Sequence, residues 1–337
     1  MRAISLLFHD VYTTDPSESG FVSDAANRYK LSVADFDAQL EQIAHLRSDP
    51  PVGSAGRVRF SGPAPTDGSK PQDPPYAITF DDGGVSYHTL IADRLEARGW
   101  RGHCFVSTDF IGQRGFLDAS QIRDLDARGH VIGSHSASHP ARFSALPFDR
   151  MVGEWRDSRR LLEDLLGHRV PVGSVPGGYF SATVARAARE AGLTELFTSE
   201  PVTTIEQRAG LTLIGRFTIR LGDAPDAAMR LLAREPWARS MAWANWNAKA
   251  LVKPLLGPAY SRVADWVFAV RRNSPARASS DSRGRCLDGG EPVPVKPMFL
   301  TPSTRGATPG AWHASAAASE ADLRPARQSR RAEASPR

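Results

Sequence analysis

Short apolar runs alternate along the chain with stretches whose apolar residues recur at a helical period. Ile4 to Val11 is the first run, read as a buried strand. Ser32 then offers a helix N-cap, with Asp35 three residues on as its capping-box partner and Phe36, Leu40 and Ile43 on one face. Tyr76 to Phe80 reads as a strand that stops at Asp81-Asp82-Gly83-Gly84, and Leu90 to Ala97 as a helix that closes at Gly99. Cys104 to Ser107 is a strand, Gln121 to Ala127 a helix entered through Asp118-Ala119-Ser120, and Val131 to Gly133 a strand. Met151, Trp155, Leu162, Leu165 and Leu166 form a long helix face that ends at Gly167. A strand at Val170 to Val175, a helix at Ser181 to Ala191 and strands at Leu196 to Thr198 and Leu213 to Ile219 complete the series.

Strands and helices in strict alternation predict a parallel sheet with helices outside it. At least six strands in sequence favour a barrel over a flat sheet. Val52 to Pro75, rich in Pro and Gly, reads as a long surface loop. Pro225 to Arg272 reads as helical and holds Trp237, Trp243, Trp246 and Trp266. From Asn273 onward Ser, Ala, Pro, Gly and Arg dominate, which predicts disorder. The expected division is a barrel over 1–222 with its core motifs within 76–200, a helical extension over 223–272, and a disordered basic tail over 273–337.

Composition narrows the partners. Hydrophobic residues are 41% and charged residues 23% of 337, ordinary values for a globular protein. No apolar run approaches the ~20 residues of a membrane span, and the first eleven residues are too short and polar for a secretory leader. A cytoplasmic protein is the expectation. The Trp-rich helical segment Pro236 to Arg272, with Lys249, Lys253 and Arg262, is expected to pack against the barrel, with peripheral contact with a membrane surface as the alternative. The two cysteines, Cys104 and Cys286, lack CxxC partners, which excludes a disulfide framework and a cysteine zinc site. The net charge of +5 belongs to the tail. Residues 271–337 carry 12 Lys and Arg against 6 Asp and Glu, so the body is close to neutral and offers nucleic acid no general grip.

Three polar clusters stand where strands end, the face that carries chemistry in parallel α/β folds. Asp81-Asp82 pairs two carboxylates, an arrangement that is costly unless a cation or proton is shared. His135 and His139, four residues apart, can face one metal. Gly177 and Gly178 follow a strand and precede a helix, where bare backbone N–H groups can meet a developing oxyanion. One carboxylate and two imidazoles make a three-ligand site with an open position, the pattern of a catalytic zinc. A second carboxylate beside them can serve as the base.

These clusters carry a resemblance. The sequence is similar to the polysaccharide deacetylase family with a NodB homology domain, carbohydrate esterase family 4. The family's T-F-D-D-G stands intact as Thr79 to Gly83, and its H-[ST]-x-x-H as His135 to His139. The third motif, R-x-P-x-G, is partial: Ser174-Val175-Pro176-Gly177-Gly178. The resemblance spans about residues 3 to 220. It implies a distorted (β/α) barrel of about seven parallel strands and metal-dependent removal of acetyl groups from amino-sugar polymers. It also implies Asp82, His135 and His139 as ligands of a divalent metal, most simply zinc, and Asp81 as the base.

Two departures follow from the same comparison. The motif-three Arg, which orients the base, falls on Ser174, so Asp81 is expected to be less firmly held. The late His that supplies the general acid is missing, since the one His after residue 180 is His313 in the tail. Phe8-His9-Asp10-Val11 is similar to the early Tyr/Phe-His-Asp strand of family branches with permuted motif order, such as exopolysaccharide deacetylases. His9 is therefore the expected acid, its pKa raised by Asp10 next to it. The expected function is a hydrolase that removes N-acetyl groups from amino-sugar poly- or oligosaccharides, free or lipid-linked. A weakened barrel that binds glycan, or a hydrolase of a related non-peptide carbon–nitrogen bond, are the alternatives.

Overall fold

The first apolar run forms β1 (Ile4–Phe8), every side chain buried, and breaks at His9-Asp10 before the short β2 (Val11–Tyr12). A computed structural model describes residues 1–53, 73–208 and 210–256, with side chains to residue 248. The expectations for most of the Val52–Pro75 loop, for 257–272 and for the tail lie outside the described residues. After β2 the chain makes an excursion through one helical turn, α1 (Asp24–Asn27), to β3 (Leu31–Ser32), which pairs in parallel with β2. Ser32 caps α2 (Val33–Leu46) by accepting from the Asp35 amide, and Phe36, Leu40 and Ile43 are buried against the sheet.

The serial units follow as the pattern predicts. They are β4 (Tyr76–Phe80), α3 (Ala92–Glu96) entered through a widened turn at Tyr87–Ile91, β5 (His103–Val106) and α4 (Ala119–Ala127). Then come β6 (Val131–Ser134), α5 (Phe148–Leu166), β7 (Val172–Ser174), α6 (Ala182–Glu190) and β8 (Glu195–Phe197). A hairpin joins β9 (Glu206–Arg208) to β10 (Leu211–Ile214). The run from Leu213 to Ile219 is not one strand: it breaks at Gly215-Arg216, and β11 (Phe217–Thr218) pairs with β1. Two helices close the described chain, α7 (Ala227–Leu232) and α8 (Trp237–Leu256).

The sheet runs β11-β1-β4-β5-β6-β7-β8-β10-β9, parallel throughout except for β9. It curls into an open barrel. The mouth between its ends is crossed by residues 200–205: Ala3 N donates to Thr203 O at 2.9 Å and Arg216 N to Glu200 O at 2.9 Å. Inside the curl sit Ala77, Phe105, Val172, Phe197 and Ile214. Helices α2 and α3 cover one outer face, and α5 and α6 another through Met151, Trp155, Val184 and Ala188. Ala238 and Ala242 of α8 pack on the core, while Trp237, Met241 and Trp243 stay exposed. No described helix is long and apolar enough to cross a membrane.

Asp10 shows how the break after β1 is held. Its Oδ1 accepts from Ser19 Oγ (2.6 Å) and Ser86 Oγ (2.8 Å), and a Cβ on Gly84 would lie 1.9 Å from that oxygen, so glycine is required there. Burial pushes its carboxyl up to about 6 from 3.8 despite these hydrogen bonds. The unfolded chain then ionises before the folded one as pH rises. Asp10's contribution to stability is complete below about pH 4 and falls by about 3 kcal/mol through pH 6. Chemical denaturation of Asp10→Asn across pH 4–7 should show that fall flattened; an unchanged slope would assign it to other groups.

Candidate active site

The C-terminal ends of β4, β6 and β7 bring the three sequence clusters together. Asp81 and Asp82 follow β4, His135 follows β6, and Ser174 ends β7. His135 Nε2 lies 3.4 Å from Asp82 Oδ1, and His139 Nε2 also lies 3.4 Å from it. Metal–nitrogen and metal–oxygen bonds of about 2.0–2.2 Å in a tetrahedron require ligand atoms about 3.3–3.6 Å apart. The donor set and spacing of Asp82, His135 and His139 therefore fit a divalent ion, with a fourth direction left for water or substrate.

Backbone strain is concentrated here. Asp82 (φ 76°), Ser136 (φ 66°) and His139 (φ 50°) are the non-glycine residues with left-handed backbone among the described residues. Loop hydrogen bonds hold them. Buried Glu154 of α5 accepts from the amides of Ala137 (3.1 Å) and Ser138 (2.8 Å) and from Ser138 Oγ (2.7 Å). Ser136 Oγ accepts from the His139 amide at 3.2 Å, and His135 Nδ1 meets Ser174 O at 3.0 Å, which fixes that ring. Glu154 was not foreseen, although it shares a buried helix face with Met151, Trp155 and Ser158.

Asp81 is not loosely held. Arg216, from the break between β10 and β11, is fully buried and grips it: Nη1 to Oδ1 at 2.7 Å and Nη2 to Oδ2 at 2.8 Å. The remaining three donors reach Thr198 O (2.9 Å), Thr79 Oγ1 (3.2 Å) and Ser174 Oγ (2.9 Å), so all five N–H groups are used. Ser174 Oγ also donates to Asp81 Oδ1 at 2.9 Å. The arginine missing at 174 is thus supplied from across the barrel, and the small serine leaves it room. Burial pushes the Asp81 carboxyl up, but the Arg216 guanidinium, then His135, outweigh it and hold the group below the usual range. Burial acts the same way on Asp82, and hydrogen bonds from His135 and His139 drive it well below.

His9 lies across the site at the end of β1, its ring 4.8 Å from Tyr29. The expectation that Asp10 raises its pKa is overturned. Asp10 is spent on Ser19 and Ser86, and the charges that act on His9 are led by Asp82 and Asp81. Burial lowers the His9 pKa, with Asp82 and Asp81 opposing it. Its Nδ1 is buried without a hydrogen-bond partner among the described residues. Gly177 (φ 62°) and Gly178 (φ 71°) form the turn after β7 in left-handed conformations that suit glycine. The Gly178 amide bends back on Val175 O at 3.4 Å, a weak bond, and Trp246 of α8 lies beside it.

The chain is a curled parallel α/β barrel with a carboxylate–imidazole cluster that could hold a metal ion and a second, arginine-held carboxylate at its strand ends. Residues 68–196 match the polysaccharide deacetylase family. Over 136 residues the chain is 26% identical to YxkH of Bacillus subtilis (strain 168), named for the polysaccharide deacetylases, covering 40% of this chain and 48% of that one. Over 118 residues it is 30% identical to a chitin deacetylase of Pestalotiopsis sp., covering 35% and 38%. The chain thus spans less than half the length of these curated relatives. Among solved structures, a de-N-acetylase from Aggregatibacter actinomycetemcomitans superposes with TM-score 0.56 at 15% identity, over 69% of this chain and all of that one. The Streptococcus pyogenes deacetylase PplD gives 0.55 at 18%, over 69% and 99%. At such identities the likeness concerns the fold.

Proposed function

We propose that this protein is a metal-dependent hydrolase that removes N-acetyl groups from amino-sugar poly- or oligosaccharides. The observation that carries the reading is Asp81, held ionised by Arg216, 3.8 Å from His135 of the Asp82–His135–His139 cluster. A divalent ion held by those three residues, zinc by their donor set, would supply Lewis acidity and bring a water's pKa toward ~7. Asp81 accepts the proton of the water that attacks the acetamide carbonyl. Arg216 keeps it ionised and aims both its oxygens. Backbone amides of the turn at Gly177-Gly178 meet the oxyanion. His9 delivers a proton to the departing amine nitrogen. Protonated in a site that disfavours its charge, it is a strong donor. Acetate and a free amino sugar are the products.

The glycan-binding alternative drew on the absence of an arginine, and Arg216 removes that ground. A peripheral contact of α8 with a membrane surface is proposed on exposed Trp237, Met241 and Trp243; failure to sediment with phospholipid vesicles would overturn it.

The test of the reading separates amide from ester. An amide nitrogen must be protonated to leave, whereas a phenolate departs unaided. Acetate release from N-acetylglucosamine oligomers should fall ~10²–10⁴-fold in His9→Ala, with most hydrolysis of an aryl acetate kept. Asp81→Asn should lose both. Equal losses in His9→Ala would make His9 structural. No acetate from any oligomer, with turnover on small linear amides, would move the protein to the other carbon–nitrogen hydrolases.

A further inference from the structure

The two imidazoles of the cluster are held in different ways. His135 has a side chain 2% exposed and its Nδ1 is tied to Ser174 O. His139 is 22% exposed on a strained loop end, and among the described residues its ring, apart from Asp82, bonds back only to its own backbone. A ligand imidazole tied only to its own residue has no support from a neighbouring element and moves with its loop unless packing stops it. Phe21 does the packing: its ring centroid lies 4.8 Å from that of His139, tilted by 42°.

Phe21 is itself fixed from two sides. Its ring meets Phe110 (4.8 Å, 81°) and Phe116 (5.0 Å, 71°) edge to face, a geometry that favours one orientation. Its backbone belongs to the excursion between β2 and β3, which is gathered around one buried ammonium. Lys30, 1% exposed, donates from Nζ to Pro16 O (2.6 Å), Ser19 O (2.6 Å) and Phe21 O (2.8 Å). Three carbonyls use all three of its donors. Gly20 N donates to Gly115 O at 2.7 Å and binds the excursion to the loop that carries Phe116. A buried lysine is expensive, and nothing in the proposed chemistry uses it. What it does here is set the position of the Phe21 carbonyl, and so of the ring on His139.

We propose that Phe21 is a positioning residue of the metal centre, and Lys30 its anchor: together they hold the His139 imidazole with Nε2 on Asp82. The proposal rests on the reading of Asp82, His135 and His139 as metal ligands.

Cobalt(II) titration of the full chain, followed by its visible absorption and by competition with zinc, tests it. Phe21→Ala should weaken binding ~10–100-fold, the usual cost of disturbing a ligand's support, and alter the cobalt absorption band, with metal-free melting little changed. Phe21→Tyr should restore both, and Phe21→Leu, which fills space without a flat ring, should restore them only in part. Lys30→Met should weaken cobalt binding as well. Parent-like affinity and spectrum in Phe21→Ala would overturn the proposal while leaving the metal site in place. A parent chain that binds no cobalt or zinc would overturn the metal site, and the proposal with it.

Discussion

Arg216→Met should leave a folded but nearly inactive protein, with acetate release down ~10²–10⁴-fold. The substitution keeps length and apolar bulk but withdraws five hydrogen bonds and the positive charge beside Asp81. A buried carboxylate left alone costs about 3–5 kcal/mol or takes up a proton, and once protonated it is no base until the pH exceeds its raised pKa. Both outcomes can be read. Melting should fall, and the acid limb of the rate profile should move to higher pH, because the force that holds the Asp81 pKa down is gone. Arg216→Lys should recover little, since an ammonium cannot grip both oxygens. An Arg216→Met chain with parent turnover and an unmoved acid limb would show that Asp81 needs no such partner.

Chelation should lower the melting temperature, and His135→Ala should abolish that response. A site that binds only the folded state adds about 4 kcal/mol when the ion stands at 1,000 times its dissociation constant. For a domain of this size each kcal/mol shifts melting by about 2–4 °C, so zinc should raise it by roughly 8–16 °C. His135→Ala removes the most deeply buried of the two imidazoles and should abolish stoichiometric zinc and acetate release together. His139→Ala should do the same. A parent protein whose melting ignores both zinc and chelator would refute the ligand set.

The residues the sequence made legible are those that sit in contiguous clusters at strand ends. Asp81, Asp82, His135 and His139 could be grouped because alternating strands and helices place such ends on one face. Arg216 could not, because its role depends on a strand breaking and on β11 crossing to pair with β1. One signal was present: an arginine after a glycine inside the apolar run Leu211-Thr212-Leu213-Ile214-Gly215-Arg216-Phe217. A charge there is tolerable only with a buried partner, and Asp81 stood without one. For His9, adjacency to Asp10 in the sequence was mistaken for proximity of side chains. Lys30 and Glu154 were invisible for a simpler reason. Apart from the Ser138 hydroxyl on Glu154, their partners are backbone groups, which carry no signature in the sequence.

Asp82, Ser136 and His139 also set the stability of the loops against what those loops can bind. Each occupies backbone geometry that glycine would enter at lower cost, and such positions are held at roughly 1–3 kcal/mol apiece. Glycine at these three places would make a sturdier loop with nothing to offer a ligand. The aspartate, the serine and the histidine at this end of the barrel trade that ease of folding for side chains that can bind.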